Sequence, residues 1–114
     1  MAAISPETEA RLKALQRDYA RRLPDRGAEI RTLFNALAAN WTTTDAVELR
    51  RMAHNLAGSG ASYGFPEVSQ SARRLERALD AALASAESPA PGLRAAVGVA
   101  VDDLIAATES VRAD

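Results

Sequence analysis

Apolar residues recur along this chain at spacings of three and four, in runs separated by proline, glycine and threonine-rich breaks. On a helix each residue turns by about 100°, so that spacing lays an apolar stripe along one face. The first stripe holds Ile4, Ala10, Leu12 and Leu15 and runs to about Leu23. Ser5 can cap it, Pro6 fits the first helical position, and Glu7 suits the positive end of the helix dipole. Pro24-Asp25 predicts a restart of the chain, because proline removes a helical hydrogen bond. Ile30, Leu33, Phe34, Leu37, Ala38 and Trp41 then predict an amphipathic helix, ended by Thr42-Thr43-Thr44-Asp45. Asp45 followed by Glu48 resembles a capping box with Asp as the cap.

A third helix carries Leu49, Met52, Ala53, Leu56 and Gly60, with Gly64 as its stop and Pro66 opening the next. Val68, Ala72, Leu75, Leu79 and Leu83 line that fourth segment until Ser85. Residues 85–92 form a linker rich in Ser, Pro and Gly. Leu93, Val97, Val101, Leu104, Ile105 and Val111 mark the last helix. Nothing alternates at period two for long enough to be a strand. The expected fold is all-α: an antiparallel four-helix bundle over roughly residues 24–112, with an additional N-terminal helix. All of it forms one domain, residues 1–114.

Composition agrees with this pattern and narrows the function. Hydrophobic residues make up 47% of the chain but aromatics only 4%, a mix that favours close-packed helices over a sheet. Fourteen basic residues face fifteen acidic ones, which argues against a nucleic-acid partner. There is no cysteine, so neither disulfides nor a thiolate metal site can form. Charges begin at Glu7, too early for a signal sequence, and the apolar stretch at residues 95–101 is too short to span a bilayer. A soluble, cytoplasmic, monomeric protein is expected.

The single histidine, His54, raises the chemical question. It stands to one side of the core stripe, on a face with Val47, Arg50, Arg51, Ala57, Gly58 and Ala61. Glycine inside a helix costs about 1 kcal/mol relative to alanine. At Gly58, one turn after the histidine, that cost removes the side chain that would shield the imidazole. Another molecule reaching the ring would account for it. A partly buried histidine making one hydrogen bond is the plainer alternative for a lone helical histidine. A metal site would have to be built from carboxylates.

The stretch Ala53-His54-Asn55-Leu56-Ala57-Gly58-Ser59, then Ala61-Ser62-Tyr63-Gly64-Phe65, then Ala72 and Leu75-Glu76, resembles the histidine phosphotransfer (HPt) domain of bacterial multistep phosphorelays. The family motif runs H-x-L-K-G-S, then small residues and a glycine, then a helix with leucine followed by glutamate or glutamine. The resemblance is strong over residues 49–80. It implies that His54 accepts a phosphoryl group on Nε2 from a receiver-domain aspartate and passes it to another receiver. Glu76 matches the family's position for the group that hydrogen-bonds and orients the imidazole. The partners implied are receiver domains of response regulators or hybrid histidine kinases. Mg²⁺ is expected in the receiver, and this chain needs no cofactor or metal of its own.

One departure concerns the motif lysine, whose place is taken by Ala57; the chain's one lysine is Lys13. Arg50 and Arg51, four and three residues before His54, are candidates to meet the phosphoryl oxygens, with Arg51 preferred. Arg73 or Arg74 could also lean across from the next helix. Ser59 and Ser62 are expected to bond helix carbonyls or pack on the fourth helix. No kinase activity is expected, since no nucleotide-binding glycine loop is present. Two other classes stay open. One is an HPt-like scaffold that binds a response regulator without carrying phosphate. The other is a small enzyme using His54 as base with Glu76 behind it.

Overall fold

A computed structural model describes residues 4–85 and 88–111. The expected bundle limit at residue 112, and residues 86–87 of the 85–92 connection, lie outside the described residues. The described residues form four helices: α1 Pro6–Ala39, α2 Thr43–Ser62, α3 Pro66–Leu83 and α4 Pro91–Ser110. No strand occurs among the described residues.

The local signals explain most boundaries. Ser5 caps α1 by accepting from the Thr8 backbone N–H at 3.1 Å, and Pro6 follows it. Gly64 sits at φ +83°, a left-handed conformation that glycine takes without strain, and turns α2 into α3 within residues 63–65. Pro66 and Pro91 open α3 and α4. The last helix therefore begins inside the linker expected to run to Gly92.

Two expectations need correction. The separate N-terminal helix does not exist: α1 is one helix of 34 residues that passes through Pro24. Pro24 is exposed, while Leu23 and Ile30 on either side are fully buried. Burying two such side chains is worth about 1.5–3 kcal/mol each, enough to outweigh the roughly 3 kcal/mol an interior proline costs. The second correction is at the start of α2. Its cap is Thr42, whose hydroxyl accepts from the Asp45 backbone N–H, so Asp45 lies in the first turn instead.

Contacts across the interfaces fix the directions. Tyr19 meets Ser59 and Gln16 meets Tyr63, while Gly60 lies against Ser69 and His54 against Glu76. Arg31 meets Asp102, and Phe34 lies against Gly98. In each pair of helices one residue number rises as the other falls, so α1–α2, α2–α3 and α1–α4 are antiparallel. The core between them contains Leu23, Ile30, Leu37, Leu49, Leu75, Leu79, Val97, Val101 and Leu104. The expected four-helix bundle is present.

The bundle does not extend along all of α1. Residues 4–15 are all exposed, including Ile4, Leu12 and Leu15 of the first stripe; Tyr19 is the first buried residue. The molecule is accordingly elongated, 54 × 27 × 19 Å. Among the described residues, no helix is long and apolar enough to cross a membrane.

Candidate functional site

The α2–α3 seam is built from small residues. Ala53, Ala57, Gly60, Ser69 and Ala72 are all buried. An added Cβ on Gly60 would lie 3.0 Å from the Ser69 backbone nitrogen, so the two backbones meet there without side chains between them. The Ser69 hydroxyl donates to the Ala57 carbonyl at 2.7 Å, a buried bond across the seam. Close packing of this kind leaves each helix little freedom to rotate.

His54 stands at the outer edge of that seam, its side chain 68% exposed. Nδ1 lies 3.0 Å from Glu76 Oε2 on α3. A carboxylate oxygen accepts and cannot donate, so Nδ1 carries the hydrogen in this contact. In the neutral ring the lone pair is then on Nε2. Glu76 itself is mostly covered, at 18% exposure. One turn beyond His54, an added Cβ on Gly58 would meet nothing within 4 Å. Space around that part of the helix is open.

The two arginines part company. Arg50 Nη2 lies 3.4 Å from Glu76 Oε2, and Arg50 Nε donates to Asp80 Oδ1. Those carboxylates, Asp80 first, hold the guanidinium firmly charged. Arg51 turns the other way and forks onto Glu48, with Nε 3.0 Å from Oε2. Its hydrogen bonds pull the Glu48 carboxyl below its ordinary value. The structure thus brings Arg50 to the His54–Glu76 pair and does not bring Arg51 there. Arg73 and Arg74 are exposed, and Arg73 borders a shallow depression with Ala61, Gly64 and Gln70. Ala57 belongs to the buried core, not to the open face assigned to it from spacing.

A second concavity, of about 470 Å³, opens between α1 and α2. Leu23, Ile30 and Leu56 lie in it together with Arg22, Arg26, Arg51 and Asn55. At one end Tyr19 stacks on Tyr63 and Phe65, with ring centroids 4.7 and 5.5 Å away. The Tyr19 hydroxyl lies 2.7 Å from Ser59 Oγ, and burial raises its pKa. The Ser59 hydroxyl thus meets α1, while Ser62 is exposed. Trp41 is an end-packing residue, with the Arg94 guanidinium 5.5 Å from its ring centroid.

Asp80 is the residue that sequence reasoning missed, although a signal was present. Arg50 and His54 are four apart on α2, and Glu76 and Asp80 are four apart on α3. In an antiparallel hairpin those pairs face each other, 50 with 80 and 54 with 76. Among the described residues, no group of three or more His, Asp or Glu side chains is placed to hold a metal ion.

The family model for the Hpt domain matches residues 6–111, nearly the whole chain, and this protein belongs to that family. No curated protein and no solved structure matches the chain. Hpt domains are phosphocarriers of phosphorelays and two-component signalling, not kinases, and they interact with receiver domains.

Proposed function

We propose that this chain is a phosphorelay intermediate in which His54 accepts a phosphoryl group from a receiver-domain aspartate and hands it to another receiver. The observation that supports it most is the state of His54: exposed, with Nδ1 engaged by a largely covered carboxylate. Nε2 then attacks the phosphorus of the aspartyl phosphate. A P–N bond forms, the acyl P–O bond breaks, and its electron pair leaves with the aspartate carboxylate. No proton has to move. The ring becomes a phosphoimidazolium whose Nδ1–H faces Glu76, so the carboxylate stabilises the new positive charge. Reversal returns the phosphoryl group to a second receiver.

The bundle's contribution is positional. His54 sits on a helix whose rotation is restricted by the α2–α3 seam, and open space at Gly58 admits an in-line approach. The receiver brings the aspartyl phosphate and Mg²⁺, and this chain needs no cofactor of its own. Its surface around His54 serves as a transient, partly polar interface for receivers of response regulators or hybrid kinases. Arg51 supplies the cation that the missing motif lysine would have given, by swinging from its exposed pair with Glu48. Both side chains of that pair are exposed, so water can take over each charge when Arg51 lets go. The chain acts as a monomer in the cytoplasm.

Phosphorylated receivers of the same organism, incubated with wild type and His54→Gln, test the assignment. Acid-labile, alkali-stable phosphate is expected on wild type alone, with complete loss in the variant. Receiver binding without any transfer would instead identify a non-phosphorylated scaffold. Charge reversal at Arg51 (Arg51→Glu) is expected to slow transfer more than Arg74→Glu. Equal, small effects would remove Arg51 from the mechanism.

A further inference from the structure

We propose that Arg50 and Asp80 form a clamp that fixes the Glu76 carboxylate against His54, which makes Arg50 a positioning residue and not a phosphoryl ligand. The inference rests on His54 being the phosphoacceptor and concerns what holds it in attacking geometry. Glu76 Oε2 lies 3.0 Å from His54 Nδ1, which donates to it, and forms an ion pair with Arg50, whose Nη2 is 3.4 Å away. Arg50 is itself held at Nε by Asp80, one helical turn further along α3. A guanidinium is planar, so anchoring Nε sets the direction in which Nη2 points. The result is a two-by-two lattice, 54 with 76 and 50 with 80, on successive turns of two antiparallel helices.

Burial shows which member the lattice serves. Glu76 is 18% exposed, whereas the Arg50 and Asp80 side chains are 40% and 51% exposed. The carboxylate is thus the most covered member, and the pair beside it faces solvent. A free glutamate side chain samples several rotamers, and each would tilt the imidazole it holds. Holding one oxygen from two sides keeps Nε2 aimed outward. Arg50 is already met by two carboxylates, while Arg51 meets one, Glu48, among the described residues. An incoming phosphoryl group would find the better-compensated cation less available.

Two readouts test the clamp: phosphoryl-transfer kinetics from a phosphorylated receiver, and the tautomer of His54 by nitrogen NMR of the free protein. Asp80→Asn is expected to slow maximal transfer about 3–10-fold, the scale of a small misplacement. The receiver concentration giving half-maximal rate should stay unchanged, and the share of Nδ1–H tautomer should fall. Asp80→Glu should restore both. A purely electrostatic role gives the opposite sign, since removing a negative charge near an approaching phosphoryl group speeds transfer. Arg50→Gln should cost little further in a Glu76→Gln background. Unchanged or faster transfer in Asp80→Asn with an unchanged tautomer would overturn the clamp. So would a full Arg50→Gln loss persisting without Glu76. Were wild type to accept phosphate from no receiver, the carrier assignment would fail, while the tautomer measurement would still decide the clamp.

Discussion

The two faces of α2 are built on opposite terms. Toward α3 it presents Ala53, Ala57 and Gly60, and the backbones come close enough for Ser69 to bond across. Toward α1 it presents Met52, Leu56 and long charged side chains, and a groove of about 470 Å³ stays open. The candidate pair His54 and Glu76 lies on the edge of the tight face. Tight packing there transmits position: His54 and Glu76 sit on different helices, so any slip between those helices changes their 3.0 Å contact. The α1 face is pinned at one end by Tyr19 on Ser59 and is looser beyond it. Glycines two residues apart show the same contrast, Gly60 against backbone and Gly58 against open space.

The sharpest way to break the difference is at Gly60. Gly60→Ala forces a methyl within 3.0 Å of the Ser69 backbone, and only backbone movement relieves it. A loss of about 1–3 kcal/mol in denaturant unfolding is expected, together with slower phosphoryl transfer. On the other face, Tyr19→Phe removes the bond to Ser59 while keeping the aromatic stack. About 1 kcal/mol should be lost at neutral pH. The same variant changes the alkaline limb. Burial raises the Tyr19 pKa, so between the unfolded and folded values the native state holds the proton more tightly. That contribution is complete below about pH 10 and fades as pH rises through the folded value. Tyr19→Phe should therefore show a shallower loss of stability above pH 10. Gly58→Ala carries the smallest effect on folding and the reverse sign. It should stabilise by up to about 1 kcal/mol, since nothing opposes the methyl, yet slow transfer by crowding the approach.

Much of this was legible in the sequence because helix periodicity and capping are local. Ser5, Gly64, Pro66 and the apolar stripes all act over a few residues. What escaped was set by partners far along the chain. Pro24 carries a visible local cost, but the burial of Leu23 and Ile30 that outweighs it depends on other helices. Thr42 and Asp45 are both capping residue types; the spacing to Glu48 points to Asp45, whereas the cap is Thr42. Arg50 and Arg51 are neighbours in sequence, four and three residues before His54. Register with Glu76 and Asp80 on α3 separates them, which no reading of α2 alone supplies. Spacing from His54 predicts the open face for Ala57, and the packing of the α2–α3 seam puts it inside.

The short turn at residues 63–65 has a consequence for how the site is assembled in time. His54 and Glu76 are separated by 22 residues, most of them helical, so closing the loop between them costs little chain entropy. Arg50 and Asp80 lie on the same hairpin. The whole constellation can form within one local unit, before any pairing with α1 or α4. The exposed first turns of α1 can open and close on their own without disturbing it. Amide exchange should accordingly be fast at residues 6–15 and slow through the middle of α2 and α3, leaving His54 and Glu76 held in place while the first turns of α1 fray.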